Sequence, residues 1–121
     1  MIKNGILGAV YFVLGVAAFA FAQTTANMEK EAGAALEKAD AELNKVYKEL
    51  RETLSNAEQV RLKEVQRLWI SFRDQEAEFA ASLYEGGSMA GLVKINTTAA
   101  ATESRVEGLK NLFREGYPEG Q

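Results

Sequence analysis

Apolar positions recur at helical spacing in three consecutive segments of the chain. The first holds Leu36, Leu43, Val46, Tyr47, Leu50 and Leu54, and the second Leu62, Val65, Trp69, Phe72, Phe79 and Leu83. The third is weaker but continues with Met89, Leu92, Ala99, Val106, Leu109 and Phe113. Steps of three, four and seven place each set along one side of an α-helix. Residues 34–85 contain neither Gly nor Pro over 52 positions and are rich in Ala, Leu, Glu, Lys, Arg and Gln, all strong helix formers. One break is written inside that stretch. Ser55-Asn56-Ala57-Glu58 has a serine followed three residues later by glutamate, the capping box that starts a helix. A second break is Gly86-Gly87-Ser88, where glycine can take the left-handed conformation that ends a helix and Ser88 can cap the next one. Only Leu92-Val93-Lys94-Ile95 is locally strand-like, and it is embedded in the third helical pattern. Connections of two to four residues force neighbouring helices to run antiparallel. The pattern therefore predicts an all-α domain over residues 28–115, an antiparallel up-down-up three-helix bundle, with residues 116–121 as a tail. Helices of roughly 25 residues would be about 37 Å long.

The segment ahead of this domain has a different character. Lys3 gives a short basic start, residues 6–21 are uncharged and apolar, and Ala20-Phe21-Ala22 has the small-x-small form that precedes a cut. Residues 1–22 are thus expected to be a helical signal peptide cleaved after Ala22, with the polar residues 23–27 linking it to the first helix. The rival is an uncleaved anchor, although the apolar run falls just under the roughly 17–25 residues that span a bilayer. No cysteine follows the run, which rules out a lipid-anchored lipoprotein.

Composition narrows the chemistry. The 121 residues include 14 Lys and Arg, 17 Asp and Glu, and no His or Cys. Ser-His-Asp and Cys-His nucleophilic machinery, disulfides, thiolate redox chemistry and Cys/His zinc sites are excluded. Removing the leader takes only Lys3 from the charge, so the net value of −3 becomes −4 over the remaining 99 residues. An acidic balance disfavours nucleic acid, whose phosphates need a basic face, and favours cationic partners. No EF-hand spacing, Glu-x-x-His motif or phosphate-binding glycine loop is present, so neither metal nor cofactor is expected.

A few side chains stand out from the pattern. Glu76 interrupts the second apolar line between Phe72 and Phe79, with Arg73 three residues before it and Asp40 and Asn44 offered by the first helix. The plain reading is an ion-pair and hydrogen-bond cluster that fixes helix register. The sharper ones are a carboxylate of raised pKa, or part of a partner-binding surface. Trp69, the single tryptophan, is either a core residue or a partly exposed binding anchor. Gly86, Gly87 and Ser88 form a helix-helix turn, or a small polar loop able to enter a concave site.

Taken in order, the motifs resemble a known family. Ala39-Asp40-Ala41-Glu42-Leu43-Asn44-Lys45-Val46-Tyr47, then Gln66-Arg67-Leu68-Trp69-Ile70-Ser71-Phe72-Arg73-Asp74-Gln75-Glu76, then Gly86-Gly87-Ser88, and finally Thr102 to Arg105 with Leu109, resemble the lysozyme inhibitor LprI-like N-terminal domain family over roughly residues 28–113. The resemblance implies a small, exported, bacterial, helical domain without enzymatic activity, and a lysozyme-type muramidase or another cationic envelope protein as partner. Its motif residues here are Asp40, Asn44, Tyr47, Trp69, Arg73, Asp74 and Glu76, with a structural role, and the candidate partner-binding loop is Gly86, Gly87 and Ser88. Family members often carry one cysteine just after the second motif and another in the third helix. This chain has Ala77 and Thr97 there, which looks like loss of a disulfide as a unit.

The expected function is a periplasmic or secreted helical binding protein that blocks a muramidase by protein–protein contact. The alternative is a non-enzymatic structural or scaffolding module of the bacterial cell envelope. Contact with a membrane would arise only through an uncleaved leader.

Overall fold

A computed structural model describes the backbone of residues 3–115 and the side chains of residues 23–112. It consists of three helices, α1 (Lys3–Thr53), α2 (Asn56–Ser82) and α3 (Met89–Glu115), with no strand among the described residues. The expected leader with its cut after Ala22, and the tail at 116–121, lie outside the residues whose side chains are described. Residues 23–27, expected to link leader and domain, are themselves helical, and Thr25 is buried. Among the described residues no helix is long and apolar enough to cross a membrane.

The break between α1 and α2 forms where the local chemistry dictates. Ser55 is extended, at φ −64 and ψ 162. Its hydroxyl accepts from the Glu58 amide at 3.3 Å, and the Glu58 carboxylate accepts from the Ser55 amide at 2.8 Å. Two of the amides that a helix start leaves without a partner are thereby satisfied. Gln59 ties the turn from inside α2: its side-chain amide donates to the Leu54 carbonyl at 3.0 Å, and its side-chain oxygen accepts from Arg51 Nε at 3.3 Å. The second turn contains Gly86 at φ 81, a left-handed conformation that a side chain would strain.

α3 packs extensively on both α1 and α2. The apolar cluster draws on all three helices: Leu43, Val46 and Leu50 from α1, Leu62 from α2, and Val106 and Leu109 from α3, with Tyr47, Leu54 and Trp69 packed against it. Burying each large aliphatic side chain stabilises by about 1.5–3 kcal/mol before ordering entropy is counted. Ala32, Ala39, Ala77 and Ala99 are also buried, which lets helix backbones approach closely. Leu92, in the strand-like tetrapeptide, is buried as a helical residue of α3.

The second helix departs from its expected orientation. Of its apolar line, Leu62 is buried and Trp69 half-buried, but Val65, Phe72, Phe79 and Leu83 are 51%, 63%, 67% and 69% exposed. The inward face is instead Leu62, Gln66, Trp69, Arg73 and Ala77, also spaced by threes and fours. The two faces share Leu62 and Trp69 and then diverge. Ala77, 1% exposed, gives the inward face a flat contact, while Gln66 and Arg73 find hydrogen-bond partners there. A polar face with its partners supplied can thus be packed inward in place of a more apolar one.

Candidate functional site

The inward face of α2 builds a cluster around Trp69. Arg73, one turn further along the helix, lays its guanidinium carbon 5.2 Å from the indole centroid, and Arg105 of α3 lies 5.8 Å from it. A cation over an indole face is attracted by the ring's quadrupole. Arg73 is anchored from several directions. Its Nη2 lies 2.9 Å from Asp74 Oδ1, its Nη1 lies 3.6 Å from Asp40 Oδ1 on α1, and Nη1 also donates to Thr102 Oγ1 at 3.4 Å. Thr102 is fully buried, and its hydroxyl donates to the Thr98 carbonyl at 2.7 Å. One arginine therefore connects all three helices.

Arg105 is held differently. Its Nε donates to Gln66 Oε1 at 3.0 Å, while its Nη2 is buried with no hydrogen-bond partner among the described residues. Burial lowers its pKa from the ordinary arginine value, because a charge moved out of water loses hydration.

Beside this cluster, α1 and α2 enclose a groove of about 540 Å³. Asp40, Asn44 and Tyr47 line one wall, and Lys63, Arg67 and Arg73 the other. A second groove, about 470 Å³, lies between α1 and α3. There Lys110 bridges Glu42 and Glu107, each at 3.3 Å. These hydrogen bonds, Glu42 first, raise the Lys110 pKa above its ordinary value.

The motif residues divide into two groups. Asp40, Trp69, Arg73 and Asp74 meet in the cluster, and Asn44 and Tyr47 line the adjoining groove. Glu76 is exposed at the edge of the cluster: it lines a shallow depression with Trp69, Phe72 and Arg105 and another with Phe72 and Phe79, and takes no part in the Arg73 ion pairs. Its position follows from the orientation of α2, which turns the Arg73 line inward and leaves Glu76 at the border with α3. Gly86, Gly87 and Ser88 are exposed in the turn between α2 and α3. Gln66, Thr102 and Arg105, which stand in the motif segments without being singled out as site residues, complete the cluster. Gln66 could have been found from its spacing of three before Trp69, but the distant Arg105 enters only through packing of α3. Among the described residues no group of three or more acidic side chains is placed to hold a metal ion.

No curated protein and no solved structure matched the chain. A family model described as lysozyme inhibitor LprI matches residues 18–109, reaching further upstream than the motifs and taking in both the Trp69 cluster and the Gly86–Ser88 turn. With most of its 121 residues inside that match, the chain belongs to the LprI lysozyme-inhibitor family.

Proposed function

We propose that this protein is an exported helical inhibitor that blocks a lysozyme-type muramidase by protein–protein contact, without catalytic chemistry of its own. The observation that carries the reading is the family match across residues 18–109. A cleaved leader, residues 1–22, delivers the protein to the periplasm or outside the cell, in keeping with the basic start, apolar run and small-x-small end of that segment. The helices form an up-down-up bundle. Lys94 with Glu78 and Arg105 with Gln66 support opposite directions for α2 and α3, and Gly91 beside Glu29 and Lys110 with Glu42 support α1 and α3 running alike.

In this reading the Trp69 cluster is structural, an interhelix lock, and the turn at Gly86, Gly87 and Ser88 supplies the contact. A small loop can enter the open cleft in which muramidases hold their paired carboxylates, and a net negative inhibitor is steered toward cationic enzymes. The direct test is co-elution of residues 23–121 with purified cationic muramidases at low and moderate salt. A complex that weakens as salt rises is expected. Absence of a complex at micromolar protein with every type tested would overturn the reading. Ser88→Trp, an exposed substitution outside the helices, should weaken the complex without changing the protein's thermal unfolding.

A further inference from the structure

The outward face of α2 carries Val65, Leu68, Phe72, Phe79 and Leu83, from 51% to 69% exposed. Their spacing of three, four and seven sets them along one line, about 27 Å long at 1.5 Å per residue. Two phenylalanines two-thirds exposed, at ~150–250 Å² per aromatic side chain, and three aliphatic side chains together offer roughly 500 Å² of apolar surface. The flanking Arg61, Gln75 and Glu76 carry the face toward the roughly 800 Å² that each partner gives to a standard interface. A straight helical ridge of this kind fits another helix, whose side chains fill the gaps between its own.

Charge indicates which helix. Arg61 and Glu76 are both exposed, lie on either side of the Val65–Leu68–Phe72 section of the ridge, and have no ion-pair partner among the described residues. We propose that α2 pairs antiparallel with α2 of a second copy of this chain, about a two-fold axis level with Leu68 and Trp69. In that register Val65 lies opposite Phe72 of the second copy. Each Arg61 comes level with Glu76 of the other copy and close to its Phe79, so the guanidinium meets a carboxylate and an aromatic ring. Both Gly86–Ser88 turns stay free, at opposite ends of the pair.

Sedimentation equilibrium of the exported protein, from micromolar to millimolar concentration, tests the pairing. A monomer–dimer equilibrium is expected, and Phe72→Asp should be monomeric with unchanged helical circular dichroism. Arg61→Glu and Glu76→Arg should each weaken the dimer about tenfold, and the double reversal should restore it. A protein monomeric at millimolar concentration, a dimer indifferent to Phe72→Asp, or a double reversal without rescue would each overturn the proposal. So would a monomer whose Phe72→Asp variant loses muramidase inhibition, because the ridge would then belong to the target.

Discussion

The two arginines on Trp69 differ in what they contribute. Arg73 is compensated by Asp74, Asp40, Thr102 and the indole, whereas Arg105 has one hydrogen bond, the same indole and a buried Nη2 with no partner among the described residues. Arg73→Met should therefore destabilise by about 1–2 kcal/mol, the worth of a hydrogen bond, a cation over a ring and half-exposed ion pairs. Arg105→Met removes a desolvated charge and should cost under about 1 kcal/mol. Urea unfolding of the two variants checks the order, and equal losses would show that Arg105 is better satisfied than its geometry indicates. Lys110 contributes to stability toward alkaline pH. Glu42 and Glu107 raise its folded pKa above the ordinary 10.5, so its contribution is complete below that value and is lost as pH rises through the higher folded one. Lys110→Met should flatten the fall in melting temperature at alkaline pH and change little near neutrality. Asp40, Trp69 and Arg73 could be singled out from the sequence because they stand in short motifs. Arg105 stands in the Thr102–Arg105 segment, but its contact with the indole could not be read there, because it reaches the ring from another helix.

Helix boundaries were legible because their signals are local. The Ser55–Glu58 box has the geometry its chemistry predicts, whereas α2 already ends at Ser82 with a right-handed cap at Leu83, and the left-handed glycine, Gly86, serves the turn that follows instead of the helix end. Ser55→Ala should cost about 1 kcal/mol by leaving the Glu58 amide without its cap, as read by chemical denaturation. The facing of α2 was not legible, because two of its faces have helical period and the more apolar one points outward. Periodicity reports that a stripe exists, while its direction depends on what the other helices offer. Ala77, Gln66 and Arg73 fit α3 and α1, and Phe72 and Phe79 are left outside. Leu109, fully buried on α3, belongs to the shared cluster. Leu109→Ala should cost about 2–5 kcal/mol, far more than Phe72→Ala on the exposed ridge. Comparable losses at the two sites would contradict this orientation of α2.

At the scale of the molecule, the described residues of this cysteine-free chain are held together by a modest apolar cluster, buried alanines and an arginine that ties three helices together. The all-helical architecture followed from composition and spacing, and family membership from motifs that individually say little but occur in a fixed order. The proposed inhibitory face had no such signal, because a turn of two glycines and a serine is as useful to a bundle as to a partner. Inhibition itself is the central claim, and a cell-wall lysis assay tests it most directly. Residues 23–121 would be titrated against muramidases of several types at low and moderate salt. The predicted result is a saturable fall in lysis rate for at least one cationic muramidase at micromolar protein, and undiminished lysis by every enzyme across that range would contradict it.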